Sequence, residues 1–224
     1  MPLPMVHLLL ARTIEEKLGI KNSKYFLLGS IAPDSIHKRA GSNRTDKHKT
    51  HMFFNGYGNE EAIRLNKESV INTVMGFRGY DKDYRDFING YCIHTVLDII
   101  WINKIFNVLA ATLRSGGINF NDIRTKYYQE TNICDSAIYN SGSWTREYKE
   151  MLRTAGPLGF KDILTKDEVG SWKNEIIRKM DGYENEKKKY PPEAAHYITY
   201  KIIIKFINEF LDEVLPDYID LKSD

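Results

Sequence analysis

The chain has 224 residues, of which 42% are hydrophobic and 28% charged, and a formal net charge of +2. That length suits one domain with a sizeable core, and the composition excludes a disordered, collagenous or disulfide-stapled chain. A charge so near balance excludes nucleic-acid binding by bulk electrostatics, and no clear nucleic-acid patch is visible.

The first predicted element is an amphipathic helix over residues 4–18, with Leu8, Ala11, Ile14 and Leu18 on one stripe and Gly19 as its stop. The run Met5 to Ala11 is short, contains His7 and lacks a basic leader and a cleavage site, so no signal peptide is expected. Asn22 or Ser23 caps a short helix ending at Gly29. Pro33 then makes a turn of Ser30 to Asp34. Residues 30–57 show no clear periodicity and read as irregular, with a basic loop from Lys38 to Lys49.

Glu60 to Phe77 is helical. Asp81 or Asp83 opens a long central helix reaching Leu113, before Gly116 and Gly117. Asn121 or Asp122 opens the next helix, and Ser143 caps Trp144 to Leu152. A helix spans Lys166 to Met180. A final one runs from Pro191 or Pro192 to Leu215, before Pro216. No strand pattern and no repeat is found. The expected fold is all-α, a single domain over 1–224, with residues 1–140 as the core and 141–224 packing on it. No apolar run reaches the length of a membrane span. Cys92 and Cys134 form no CxxC pair and read as buried thiols of a reducing compartment, so the cytoplasm is the expected location.

The central helix carries the chemistry. His94 and Asp98 are four apart and share one face, among Ile93, Val96, Leu97, Ile99, Ile100 and Trp101. A carboxylate there must have its lost hydration offset, and no Lys or Arg lies between Arg85 and Lys104. Taken alone, the pair could hydrogen-bond each other or distant backbone; a divalent metal would satisfy both. His7, Asp34 and His51 also stand at apolar boundaries. Together the five form a mixed nitrogen and oxygen set suited to Zn²⁺, or less specifically to Mn²⁺ and Fe²⁺. Their scatter along the chain favours a catalytic site over a zinc-finger staple. His48, flanked by two lysines, and Asp135, beside Cys134, are secondary candidates for contacting substrate.

The ordered set Pro4-x-x-His7, Gly29-Ser30-Ile31-Ala32-Pro33-Asp34, Thr50-His51-Met52-Phe53 and Gly90-Tyr91-x-x-His94-x-x-x-Asp98-x-x-Trp101 resembles the zinc-dependent phospholipase C family. That family is related in fold to the single-strand-specific plant and fungal nucleases. The resemblance covers roughly the first half of the chain. It implies a helical bundle with a central metal-bearing helix, His7, Asp34, His51, His94 and Asp98 as ligands, and Asp98 bridging two metals. Asp34 would also assist deprotonation of the attacking water. The family's further set of two histidines and a glutamate is not found after Asp98, where His196 is the only histidine, so one or two ions are expected.

The expected activity is hydrolysis of a small-molecule or lipid phosphoester, above all a phosphodiester, by metal-activated water. HD-type phosphohydrolases need an adjacent His-Asp pair, which is absent. The alternative is a helical scaffold or binding module with a structural or vestigial metal site.

Overall fold

The computed structural model describes residues 3–19, 23–53, 60–77, 80–185 and 191–213. Its α-helices are α1 (Pro4–Leu18), α2 (Lys24–Ile31), α3 (Arg44–Thr50), α4 (Glu60–Met75), α5 (Lys82–Trp101), α6 (Asn107–Ser115), α7 (Phe120–Asn140), α8 (Trp144–Thr154), α9 (Lys166–Asn185) and α10 (Tyr200–Glu213). A π-helical turn, Ile102–Phe106, joins α5 to α6, so Lys82–Ser115 is one continuous rod. Counting that rod once, the described residues hold nine α-helices and no strand, which is the all-α architecture expected.

The rod is the centre because its sequence is apolar almost all round, and a helix of that kind is stable only when other helices cover every side. Asp81 starts it, its side chain accepting the Tyr84 N–H at 3.1 Å. Phe87, Tyr91, Val96, Leu97 and Trp101 are buried. By length and composition the rod could cross a membrane, a property hidden from a search for uninterrupted apolar runs; 50% of its most apolar window is buried within this fold.

The tightest helix crossing is α2 on α5. A Cβ on Gly29 would overlap the Phe87 carbonyl, and one on Gly90 would overlap the Phe26 carbonyl and lie 2.8 Å from the Ser30 nitrogen. Glycine at both positions lets the two backbones meet. Gly29 therefore serves an approach, not a helix end, and α2 runs on to Ile31. Gly19 does end α1, at φ +66°.

Four further expectations are corrected. Residues 30–53, the described part of the stretch expected to be irregular, are largely helical: a 3₁₀ segment spans Ala32–Lys38, and α3 follows with Asn43 and Asp46 closing a capping box. The helix α7 is capped by Asn119, upstream of Asn121 and Asp122. Ser143 precedes α8 without a side-chain cap bond. The last helix starts at Tyr200, not at the prolines, because the Glu130 carboxylate accepts the backbone N–H groups of His196, Tyr197 and Ile198 at 2.9–3.0 Å and holds them out of helix. Leu215, the expected end, lies outside the described residues, as does Asn22.

The C-terminal part packs on the first. Arg39, after the 3₁₀ segment, pairs with Glu168 of α9 at 2.6 Å, and Lys38 pairs with Glu175. These contacts neutralise two of the five lysines and arginines in the basic run that sequence alone leaves solvated.

Candidate metal centre

Four elements bring the five expected residues together. His7 lies in the second turn of α1, Asp34 in the 3₁₀ segment, His51 at the end of α3, and His94 and Asp98 on α5. Two overlapping donor sets result, His7–His94–Asp98 and Asp34–His51–His94, with ligand atoms in each within 4.8 Å of one another. All five residues are buried.

The spacings are those of donors around an ion. His7 Nε2 is 3.5 Å from Asp98 Oδ1. On the other carboxylate oxygen, His51 Nε2 stands at 3.4 Å and His94 Nε2 at 3.7 Å. His51 Nε2 is also 3.3 Å from Asp34 Oδ1. Hydrogen bonds close at about 2.7–3.2 Å, whereas a tetrahedral ion at about 2.0–2.1 Å from its ligands holds them about 3.3 Å apart. None of His7 Nε2, His51 Nε2, His94 Nε2 or either Asp98 oxygen has a hydrogen-bond partner. Native interiors rarely leave one buried polar atom unsatisfied, and here five converge.

Backbone carbonyls set the tautomers. His94 Nδ1 donates to the Ser30 carbonyl at 2.7 Å, and His51 Nδ1 to the Lys47 carbonyl at 3.0 Å. Both rings therefore present an Nε2 lone pair inward, the arrangement in which a metal-binding histidine is oriented by its outer nitrogen. The His7 and His94 rings stack at 3.8 Å, 7° from parallel. His51 is placed by a Schellman ending of α3: the Phe53 N–H bonds the His48 carbonyl and the Met52 N–H the Lys49 carbonyl. Met52 takes the left-handed position at φ 55° that glycine usually fills, so the turn is strained beside the site.

Burial keeps the imidazoles neutral against the pull of Asp34: His94 is held down to about 3, and His7 and His51 are also lowered. The carboxyls differ. Burial pushes Asp98 well above the usual carboxylate range, and among the described residues only histidines lie within ion-pair distance of it. Burial acts on Asp34 too, but the Lys47 charge, with the His37 and His51 imidazoles beside it, outweighs it and leaves Asp34 well below that range. Lys47 Nζ is 3.3 Å from Asp34 Oδ1 and 3.0 Å from His37 Nε2.

Neither secondary candidate joins the donor sets. His48 accepts from Arg44 on the partly exposed side of α3. Asp135 is fully buried beneath the start of α1, where Oδ2 accepts the Met5 N–H at 3.3 Å. It thus anchors the helix that carries His7. Burial raises its carboxyl to about 8 against the pull of the Met5 N–H. A carboxyl whose folded value lies above its unfolded value of about 4 stabilises fully below pH 4 and loses that contribution as pH climbs to 8. Asp135→Asn keeps an acceptor for Met5, so its stability relative to the unsubstituted chain should improve between pH 5 and pH 8. Urea unfolding midpoints at the two pH values measure this, and parallel responses would count against it.

Sequence reading missed Lys47 as part of the site, and it favoured a surface loop for His37, three residues after Asp34, over a place at the cleft. The signal was present: the Asn43-x-x-Asp46 capping box makes Lys47 and His51 an i, i+4 pair on one helical face. No protein-family model, no curated protein and no solved structure matches this chain.

Proposed function

We propose that the chain is a metal-dependent phosphoester hydrolase, acting above all on phosphodiesters, with zinc as its metal. The observation that carries the reading is the convergence of unpartnered buried nitrogens and oxygens around Asp98. The five residues are also those assigned as ligands by the resemblance to zinc-dependent phospholipases C. A divalent ion held there would bring the pKa of bound water down to about 7 and would offset charge on phosphoryl oxygens.

The residues divide the work. His7, His94 and Asp98 hold the ion, Asp98 supplying the negative charge. Asp34, ionised through its contact with Lys47, is the general base for the attacking water. Substrate enters past Asp34, because His7, His51, His94 and Asp98 are sealed whereas the His37 side chain at this edge is 48% exposed.

That sealing also favours a second reading, a structural metal in a helical scaffold, since four of the five donor side chains have almost no solvent contact. Elemental analysis of purified protein, followed by hydrolysis of bis(p-nitrophenyl) phosphate with and without chelator, separates the two. The hydrolase reading expects bound metal and turnover that chelator abolishes and zinc restores. Bound metal without turnover supports the scaffold. Folded protein that takes up no metal removes both.

A further inference from the structure

The two donor sets cannot both have their full complement. They share His94, and its Nδ1 is committed to the Ser30 carbonyl, leaving Nε2 with one lone pair for one ion. The two carboxylates also stand differently. Asp98 has two unpartnered oxygens, and among the described residues no lysine or arginine lies within ion-pair distance of it. Asp34 has one: Lys47 reaches inward from α3 and sits 3.3 Å from Asp34 Oδ1 and 3.0 Å from His37 Nε2. Those two acceptors lie 3.6 Å apart, a spacing that would itself suit two ligands of an ion. Lys47 therefore stands where a second ion would draw its ligands, and its charge opposes the entry of another cation.

We infer that the centre is built from one divalent ion and one ammonium group. The ion sits at His7, His94 and Asp98, and Lys47 holds the second cation position between Asp34 and His37. This rests on the metal-centre reading and sharpens it: the site takes a single ion. It also names a further residue for the phosphoryl group. Two-metal phosphoesterases clamp the attacking and leaving oxygens between two ions, and here the lysine supplies the second positive charge at the open edge. Arg39 and Lys38, paired with Glu168 and Glu175, are not available for that task.

The test is zinc stoichiometry after chelation, reloading and desalting, read by elemental analysis, with melting temperature as the control for folding. The unsubstituted chain is expected to retain one zinc. Lys47→Met, which removes the charge and opens Asp34, His37 and His51 to a second ion, is expected to retain two. Lys47→Arg keeps a cation and is expected to stay at one. Asp34→Asn in the Lys47→Met background should return the count to one. Two zinc ions in the unsubstituted chain would overturn the inference while leaving the metal centre intact. One zinc in a folded Lys47→Met chain would overturn it equally. No zinc in the unsubstituted chain would overturn the metal reading, and this inference with it.

Discussion

Asp98→Asn is expected to melt above the unsubstituted chain in chelator and below it in zinc. Without metal, Asp98 is a fully buried carboxyl whose oxygens have no partner. Leaving such a group uncompensated in an interior is worth several kcal/mol of destabilisation. The neutral amide removes that burden and can donate to an imidazole lone pair. A relief of about 2–4 kcal/mol corresponds to roughly 5–15 °C for a chain of this length. With zinc at about a thousand times its dissociation constant, the unsubstituted chain gains about 4 kcal/mol and the order reverses, because the amide is a poor ligand. Phosphodiester turnover should fall at least about 10³-fold, since several kcal/mol of charge stabilisation leave with the ion and each 1.36 kcal/mol is tenfold. Differential scanning calorimetry in EDTA and in zinc reads the crossing. An Asp98→Asn chain that melts lower in both conditions would show that the aspartate is satisfied by protein contacts, and the metal centre would lose its basis.

Gly90→Ala is expected to lose at least about 3 kcal/mol of stability and most zinc affinity, although alanine in an open helix gains about 1 kcal/mol over glycine. The added methyl would overlap the Phe26 carbonyl, so α2 must withdraw from α5. A backbone carbonyl held in a helix has no rotamer to escape into. The withdrawal carries Ser30 and Asp34 away from His94, which breaks the bond that fixes the His94 tautomer. Gly182 in α9 supplies the control: nothing lies within 4 Å of a Cβ there, and Gly182→Ala should be neutral or slightly stabilising. Chemical unfolding and zinc titration of the two variants measure the contrast. A Gly90→Ala chain as stable as the unsubstituted one would mean that the α2–α5 contact is looser than the structure shows.

The parts of this fold legible in sequence are those whose signals are local. The apolar run of the Lys82–Ser115 rod, its Asp81 cap and its glycine stop after Ser115 lie within one stretch of chain, as do the stripe of α1 and its left-handed Gly19. The parts misjudged depend on distant partners. Residues 196–198 carry no sequence mark against helix; Glu130, over sixty residues earlier, takes their N–H groups. Gly29 has the local look of a helix stop, and only the backbone of α5 above it gives its reason.

The same division runs through the candidate site. Residue types and the four-residue step of His94 and Asp98 were enough to nominate the donors, because a lone carboxylate on an all-apolar helix requires a compensating charge wherever it is found. What covers each donor came from tertiary structure alone. It gave Asp34 a lysine and left Asp98 without one, turned two imidazoles by bonding their outer nitrogens to carbonyls, and made two donor sets share one ring. Sequence determined which groups need a cation, since that need is a property of the side chain and its helix face. Tertiary structure decided where a cation is already supplied, since electrostatic compensation depends on distances of a few ångströms between residues far apart along the chain.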